Sequence, residues 1–162
     1  MRTSTAPSRP LATSSATDVF GTIAADAAAE SALWGDALRP EPEHEPIFGE
    51  LVPERLALGV ETIYEGYLLH YGRPRLFEPP DDDVALLLGD YLYAHGLVRV
   101  AATGDLGAVA ALAELISTCA ALRADGAPGD GEAWIACVRR LGGEPVADEV
   151  GRSLAAHGER VR

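Results

Sequence analysis

Two glutamates one helical turn apart are the residues best placed to do chemistry in this sequence. Glu61 and Glu65 fall in a stretch whose apolar residues recur at helical spacing, so both side chains should lie on one face of a helix. Carboxylates so placed could share a cation, and Mg²⁺ prefers oxygen ligands. No third carboxylate stands close in sequence, and a solvated helix face explains the same pair. A metal site at Glu61 and Glu65 is therefore one of two interpretations.

The other polar groups predict neither a hydrolytic triad nor a nucleotide loop. Asp148, Ser153 and His157 are spaced by five and four residues on one predicted helix, which keeps their side chains from meeting as a triad. The glycine-rich segment 126–131 follows a helix rather than a strand, so it is interpreted as a flexible turn.

Composition and charge exclude several functions. The formal net charge is −12, and all 13 basic residues are arginines, which disfavours nucleic acid and anionic membrane surfaces as partners. A chain without lysine forms no Schiff base and has no phosphate loop with its lysine. Cys119 and Cys137 lie in apolar helical contexts, which predicts buried, reduced thiols rather than a disulfide.

The sequence shows no targeting signal or membrane span. Residues 1–17 are rich in Ser, Thr, Ala and Pro and lack the apolar core of a secretory signal. No run of 18 apolar residues occurs anywhere in the chain. We therefore expect a cytoplasmic protein without a transmembrane segment.

The chain divides into three parts. Residues 1–17 are predicted to be a flexible tail. Residues 18–50 hold a helix capped by Asp18 and running to about residue 38, then an acidic connector over 40–46 with three prolines. A solvated linker explains this connector better than a metal site does. Residues 51–162 form the helical domain.

Helical periodicity dominates that domain, and no segment alternates cleanly as a strand would. The predicted helices cover 53–70, 81–103, 105–122, 132–141 and 146–157. Together with the N-terminal helix they give an all-α protein of about six helices. The segment 84–102 is apolar almost all round, which places it in a core or an interface. His70 and His95 are interpreted as core or capping residues rather than ligands.

Four pieces of this domain resemble the trans-isoprenyl diphosphate synthase family. Residues 60–64 (VETIY) leading to 68–70 (LLH) are similar to the family helix before its first aspartate motif. Residues 72–74 (GRP) match its G-x-P, and 86–92 (LLLGDYL) its A-I-L-x-G-D-x-L. The turn 102–105 (ATGD) is the fourth piece. The resemblance implies a partial isoprenoid-synthase-like helical bundle.

The sequence departs from that family at its catalytic residues. In the family, D-D-x-x-D and two arginines stand between the histidine and G-x-P, but here only Tyr71 stands there. The sequence ends before the position of the second aspartate motif. The triplet 81–83 (DDD) is no substitute, because consecutive residues point to different faces of a helix. Without these carboxylates, magnesium has no obvious site from which to neutralise a diphosphate leaving group.

The leading hypothesis is therefore a non-catalytic polyprenyl synthetase-like protein that acts as an interaction or regulatory subunit in isoprenoid biosynthesis, without a cofactor. It would associate with itself or with a full-length isoprenyl diphosphate synthase. The predicted interface lies on the helix that resembles an interface helix of the family, at Leu88, Tyr91, Leu92 and His95.

Two alternatives stay open. In the first, the chain is an unusual magnesium-dependent prenyltransferase in which Glu61 and Glu65 hold the ion while Arg73 and Arg75 lie near the diphosphate. In the second, it is a helical module that binds an isoprenoid without turnover. Magnesium-dependent activity, or tight binding of a prenyl chain without activity, would separate the two.

Overall fold

The protein is all-α, as the sequence predicts. The structure is a computed structural model that describes the backbone of residues 15–161 and the side chains of residues 19–161. Within that range it has seven α-helices and no strand. The helices are α1 (Ser15–Glu30), α2 (Ala32–Asp36), α3 (Glu54–Tyr71), α4 (Asp82–Ala102), α5 (Leu106–Ala124), α6 (Asp130–Arg140) and α7 (Ala147–Arg160), with a 3₁₀ turn at Gly49–Leu51.

Helix ends in the domain follow the capping residues of the sequence. The Asp81 carboxylate accepts a hydrogen bond from the Val84 amide at 2.8 Å, and Asp105 accepts one from the Ala108 amide at 2.9 Å. These contacts start α4 and α5 where the sequence predicts. Pro53 precedes α3 as its N-cap residue.

The N-terminal prediction needs two corrections. The first helix begins at Ser15, so Asp18 lies inside it, and residues 1–14 of the predicted tail lie outside the described residues. The single helix expected to reach residue 38 is broken after Glu30. Ser31 there adopts an extended conformation and its hydroxyl accepts a hydrogen bond from the Leu33 amide. A serine offers this alternative to continued helix because its side chain bonds to the nearby backbone.

α3 and α4 pack closely because glycines lie at their contacts. A Cβ at Gly59 would come within 2.4 Å of the Val100 side chain, and one at Gly96 within 2.4 Å of Ile63. A Cβ at Gly66 would lie 2.9 Å from the Gly89 carbonyl oxygen. The backbones of the two helices therefore approach to a distance that a larger residue would prevent.

Two apolar cores lie on either side of α3. The larger core joins α3 to α5, α6 and the connector, and it includes Phe48, Tyr64, Leu112 and Trp134. The smaller core packs α1 and the 72–81 loop against α4. Its largest buried side chains are Phe20, Ile23, Leu76, Phe77, Leu88 and Leu92.

Most residues of the acidic connector are exposed, as in a solvated linker, and the segment is also tied to the domain by several contacts. Ile47 and Phe48 just after it are buried, and the His44 ring stacks on Phe20 with centroids 5.4 Å apart. Glu43 and Glu45 accept hydrogen bonds from Arg160 of α7 at 2.5 and 3.3 Å. The prolines do prevent a helix here, and the segment instead contacts α1, α7 and the 72–81 loop.

Candidate functional site

Glu61 and Glu65 do share a cation, and that cation is the Arg75 guanidinium. Both carboxylates lie on the same face of α3, one turn apart, and the loop after α3 returns Arg75 between them. Arg75 Nη1 donates to Glu61 Oε2 at 2.6 Å, and Nε donates to Glu65 Oε2 at 2.9 Å. All three residues are buried, with Arg75 at 0% exposure. The pair of carboxylates raises the pKa of Arg75 against the opposing effect of its own burial.

The remaining carboxylate oxygens hold two loops by their backbone amides. Glu61 Oε1 accepts from the amides of Ile47, Phe48 and Gly49 at 3.0, 3.2 and 2.6 Å. Glu65 Oε1 accepts from the amides of Arg75 and Leu76 at 2.8 and 2.7 Å. Amide donors of this kind stabilise an ionised carboxylate inside a protein. The cluster formed by Glu61, Glu65 and Arg75 therefore fastens the connector and the 72–81 loop to α3.

This geometry bears on the magnesium alternative. The space between the two carboxylates is filled by Arg75, so an ion bound there would have to displace a buried guanidinium. No group of three or more His, Cys, Asp and Glu side chains among the described residues is arranged to hold a metal ion. Arg73 and Arg75 are not brought together, because Arg73 is exposed while Arg75 is buried. Magnesium-dependent activity stays a prediction.

A second polar cluster, which the sequence did not reveal, joins α3, α5, α6 and α7. Asp130, at the start of α6, accepts hydrogen bonds from the Tyr67 hydroxyl and from Arg123, whose Nη2 lies 2.5 Å away. His157 of α7 lies beside them, with Nε2 3.6 Å from Asp130 Oδ2 and Nδ1 2.9 Å from the Tyr64 hydroxyl. A proton on Nε2 faces the carboxylate, which leaves Nδ1 to accept from Tyr64.

The electrostatics of this second cluster fit a structural role. Burial lowers the pKa of His157, although the Asp130 carboxylate opposes that effect. Burial alone would raise the pKa of Asp130, but the hydrogen bonds from Tyr67 and Arg123 hold it below its usual value. Tyr64 has 0% exposure, so no substrate reaches the tyrosine that the histidine contacts. The Ser153 hydroxyl instead donates to the Ile47 carbonyl at 2.7 Å. Tyr64, Tyr67 and His157 of this cluster are therefore buried, whereas Arg123 and Asp130 are half-buried and border a cavity at the start of α6.

α4 does not present the predicted interface residues as one surface. Leu88 and Leu92 are buried within the chain, at 0% and 1% exposure, so their assignment to an intermolecular interface is corrected. Tyr91 is half-buried and stacks on Trp34 of α2 with centroids 5.8 Å apart. His95 is also half-buried, with Nε2 4.0 Å from Asp26 of α1. Tyr91 and His95 thus contact the N-terminal helices of the same chain, whereas Leu92 lies against Gly66 of α3.

The exposed apolar stripe of α4 consists of residues other than the predicted interface residues. Leu87, Ala94 and Val98 are spaced by seven and four residues, which puts them on one side of the helix, and all three are exposed. Leu87 is 55% exposed and Val98 63%. On α5, Leu106 is 73% exposed, and Glu114 is the one charged residue over 106–122. The exposed residues of α4 from 84 to 98 and of α5 from 106 to 122 are called the α4–α5 surface below.

By length and composition alone, α4 and α5 are each apolar enough to cross a membrane. Only 28% of the residues in the most apolar 18-residue stretch of each helix are buried. One or two such helices are weak evidence for a span, because the apolar helix of a soluble protein meets the same criterion. The expectations of no transmembrane segment and of a cytoplasmic location therefore stay predictions.

Both cysteines are buried and free, as the sequence predicts. Burial raises the pKa of the Cys119 thiol to about 12 and that of Cys137 to about 11. Thiols held protonated in this way are poor nucleophiles and poor metal ligands.

Comparisons with family models, with curated proteins and with solved structures find no match for this chain. The resemblance to trans-isoprenyl diphosphate synthases therefore rests on the sequence pieces described above.

Proposed function

We propose that this chain is a non-catalytic polyprenyl synthetase-like protein that acts by binding a second helical chain through the α4–α5 surface. The observation that carries the proposal is the exposure of its most apolar helices. Five of 21 residues of α4 and five of 19 residues of α5 are buried. Apolar surface left open on a folded protein is a common feature of sites where another macromolecule binds.

The charge of the chain favours this surface as the binding site. The net charge is −12, yet residues 84–98 of α4 carry one carboxylate, Asp90, and residues 106–122 of α5 carry Glu114 alone. Glu114 is also paired with Arg140 at 2.8 Å. Association through this surface avoids most of the repulsion that two acidic chains would otherwise experience. It suits a second copy of this chain or a full-length isoprenyl diphosphate synthase.

The polar clusters support a role without catalysis. Glu61 and Glu65 are occupied by Arg75 and by five backbone amides, which leaves neither carboxylate free for an ion or a proton transfer. In the second cluster Asp130 and the Tyr64 hydroxyl have hydrogen-bond partners, although His157 Nε2, 3.6 Å from Asp130 Oδ2, has none. Tyr64 is out of reach of a substrate.

The test begins with recovery of the tagged protein from its native cytoplasm at moderate salt, followed by mass spectrometry and measurement of its mass in solution. We expect a stoichiometric synthase or a second copy. The variant Leu87→Glu places a charge on the exposed stripe and should weaken the association at least tenfold. Val146→Glu is the matched control, because Val146 is an aliphatic residue of similar exposure at the N-cap of α7, outside this surface.

Recovery of the protein as a monomer without partners would contradict the proposal. So would association that Leu87→Glu leaves unchanged, or binding to lipid vesicles alone. Circular dichroism of both variants should match the wild type, since the substituted side chains are exposed.

A further inference from the structure

An apolar cavity of about 380 Å³ lies between α1, the 3₁₀ turn and the first half of α3. Its apolar walls include Val19 and Phe20 of α1, Val52, and Ala57 and Leu58 of α3. This volume is within the range of pockets that bind small molecules, roughly 300–1,000 Å³. It is separate from the α4–α5 surface and from the second polar cluster.

The charged residues that line this cavity are all glutamates. Glu50, Glu54 and Glu61 are among its eleven lining residues, and none of the eleven is an arginine, lysine or histidine. Glu50 and Glu54 are exposed and lie on successive elements, the 3₁₀ turn and the first turn of α3. Glu61 belongs to the buried cluster, in which two carboxylates face one guanidinium, so that cluster adds no positive charge.

We propose that this cavity binds a cationic amphiphile, with an apolar chain inside it and an amine or quaternary ammonium group beside Glu50 and Glu54. An apolar body gains free energy by leaving water for the walls of the cavity. A positive head group is attracted by the exposed carboxylates, whereas an anionic head group is repelled by them and by the net charge of −12. A carboxylate-lined rim thus selects against isoprenoid diphosphates.

The experiment compares three probes of equal chain length, namely decyltrimethylammonium, decanol and decanoate. Binding of each probe to the full chain is measured by calorimetry at low salt. Each probe is kept below the concentration at which it changes the circular dichroism spectrum of the protein. We expect one molecule of decyltrimethylammonium per chain, bound at least tenfold more tightly than decanoate, with decanol in between. Higher salt should reduce the difference in affinity between decyltrimethylammonium and decanoate, because that difference is electrostatic.

Two variants locate the binding. Ala57→Phe fills the cavity and should abolish binding of all three probes, whereas Ala136→Phe, at an exposed position of α6, should not change it. The double variant Glu50→Gln and Glu54→Gln keeps the cavity and its fold. It should weaken the binding of decyltrimethylammonium about tenfold and leave the binding of decanol unchanged.

Equal binding of the three probes would overturn the proposal, as would binding of decanol and decanoate alone. Binding that survives both Ala57→Phe and the double glutamine variant would place the probe elsewhere and would also overturn it. If Ala57→Phe fails to fold, the double glutamine variant alone decides the outcome. None of these results depends on whether a protein partner binds α4 and α5.

Discussion

α3 and the pair α4 and α5 use their side chains in opposite ways. Twelve of the 18 residues of α3 are buried, among them two glutamates. α4 and α5 are richer in leucine, valine and alanine, yet five residues of each are buried. The helix with the buried charges is thus the centre of the fold, whereas the two most apolar helices lie at its surface.

This contrast distinguishes the residues of α3, which stabilise the fold, from the exposed residues of α4 and α5, which are available for binding. Buried carboxylates are tolerated in α3 because each has a guanidinium and backbone amides as partners. The leucines and valines of α4 gain nothing from the fold where they remain exposed to water. Under the proposed function, a partner covers them.

The largest effect is expected from removing the cation inside α3. Arg75→Met leaves the buried carboxylates of Glu61 and Glu65 with their amide donors but without a cation, and we expect a loss of about 3–5 kcal/mol in the free energy of unfolding. Urea unfolding checks the value. Arg139→Met is the matched control, because Arg139 is exposed on α6, and it should change stability by less than about 0.5 kcal/mol. A similar small loss for both variants would show that the cluster does not anchor the loops.

Two neighbouring leucines of α4 provide the second test. Leu88→Ala removes a side chain from the smaller core and should cost about 2–5 kcal/mol. Leu87→Ala changes an exposed position and should cost less than about 0.5 kcal/mol in the monomer. Urea unfolding at low protein concentration measures both. Equal losses would contradict the assignment of Leu88 to the core and Leu87 to the surface.

The glycine contacts between α3 and α4 give the third test. Gly59→Ala forces its Cβ against Val100, and we expect a loss of about 1–3 kcal/mol in a thermal or urea unfolding experiment. Gly151→Ala in α7 has open space around its Cβ and should stabilise the protein by up to about 1 kcal/mol. An unchanged or stabilised Gly59→Ala variant would mean that the helices separate easily.

The smallest effect concerns the second polar cluster. Burial holds the pKa of His157 below its usual value, so the folded chain binds fewer protons than the unfolded chain. Acidification from about pH 6.5 downward therefore favours unfolding. His157→Phe should reduce the stability lost between pH 7.5 and pH 5.5, as measured by urea midpoints. An identical loss in the variant and the wild type would assign the pH dependence to other groups.

Much of the fold follows from local sequence. Apolar periodicity predicts α3, α4 and α5, and Asp81 and Asp105 mark the starts of the last two because a cap acts on residues two or three positions away. The break at Ser31 was missed, since the alanine-rich residues on both sides favour helix equally well.

The candidate site was harder to predict, because its partners are distant in sequence. The spacing of Glu61 and Glu65 correctly places both side chains on one face of α3. The two interpretations of the pair, a magnesium site and a solvated face, did not include a buried ion pair. Nothing local shows that Arg75 lies between the carboxylates or that the amides of residues 47–49 bind Glu61. Asp130 and His157 contact tyrosines 63 and 93 residues earlier in the chain. For the same reason, Leu88 and Leu92 were predicted to lie at an interface. The helix α1 that covers them carries only a weak amphipathic signal.

The glycine contacts between α3 and α4 also imply an order of folding. These helices are joined by the 72–81 loop, so their contacts form between segments that are close in sequence, and such contacts form early. Residues 47–49 bind a carboxylate that α3 positions, so we expect this contact to form after α3. We therefore expect amides of α3 to exchange with solvent most slowly, and those of α1 and the connector to open first without unfolding the rest.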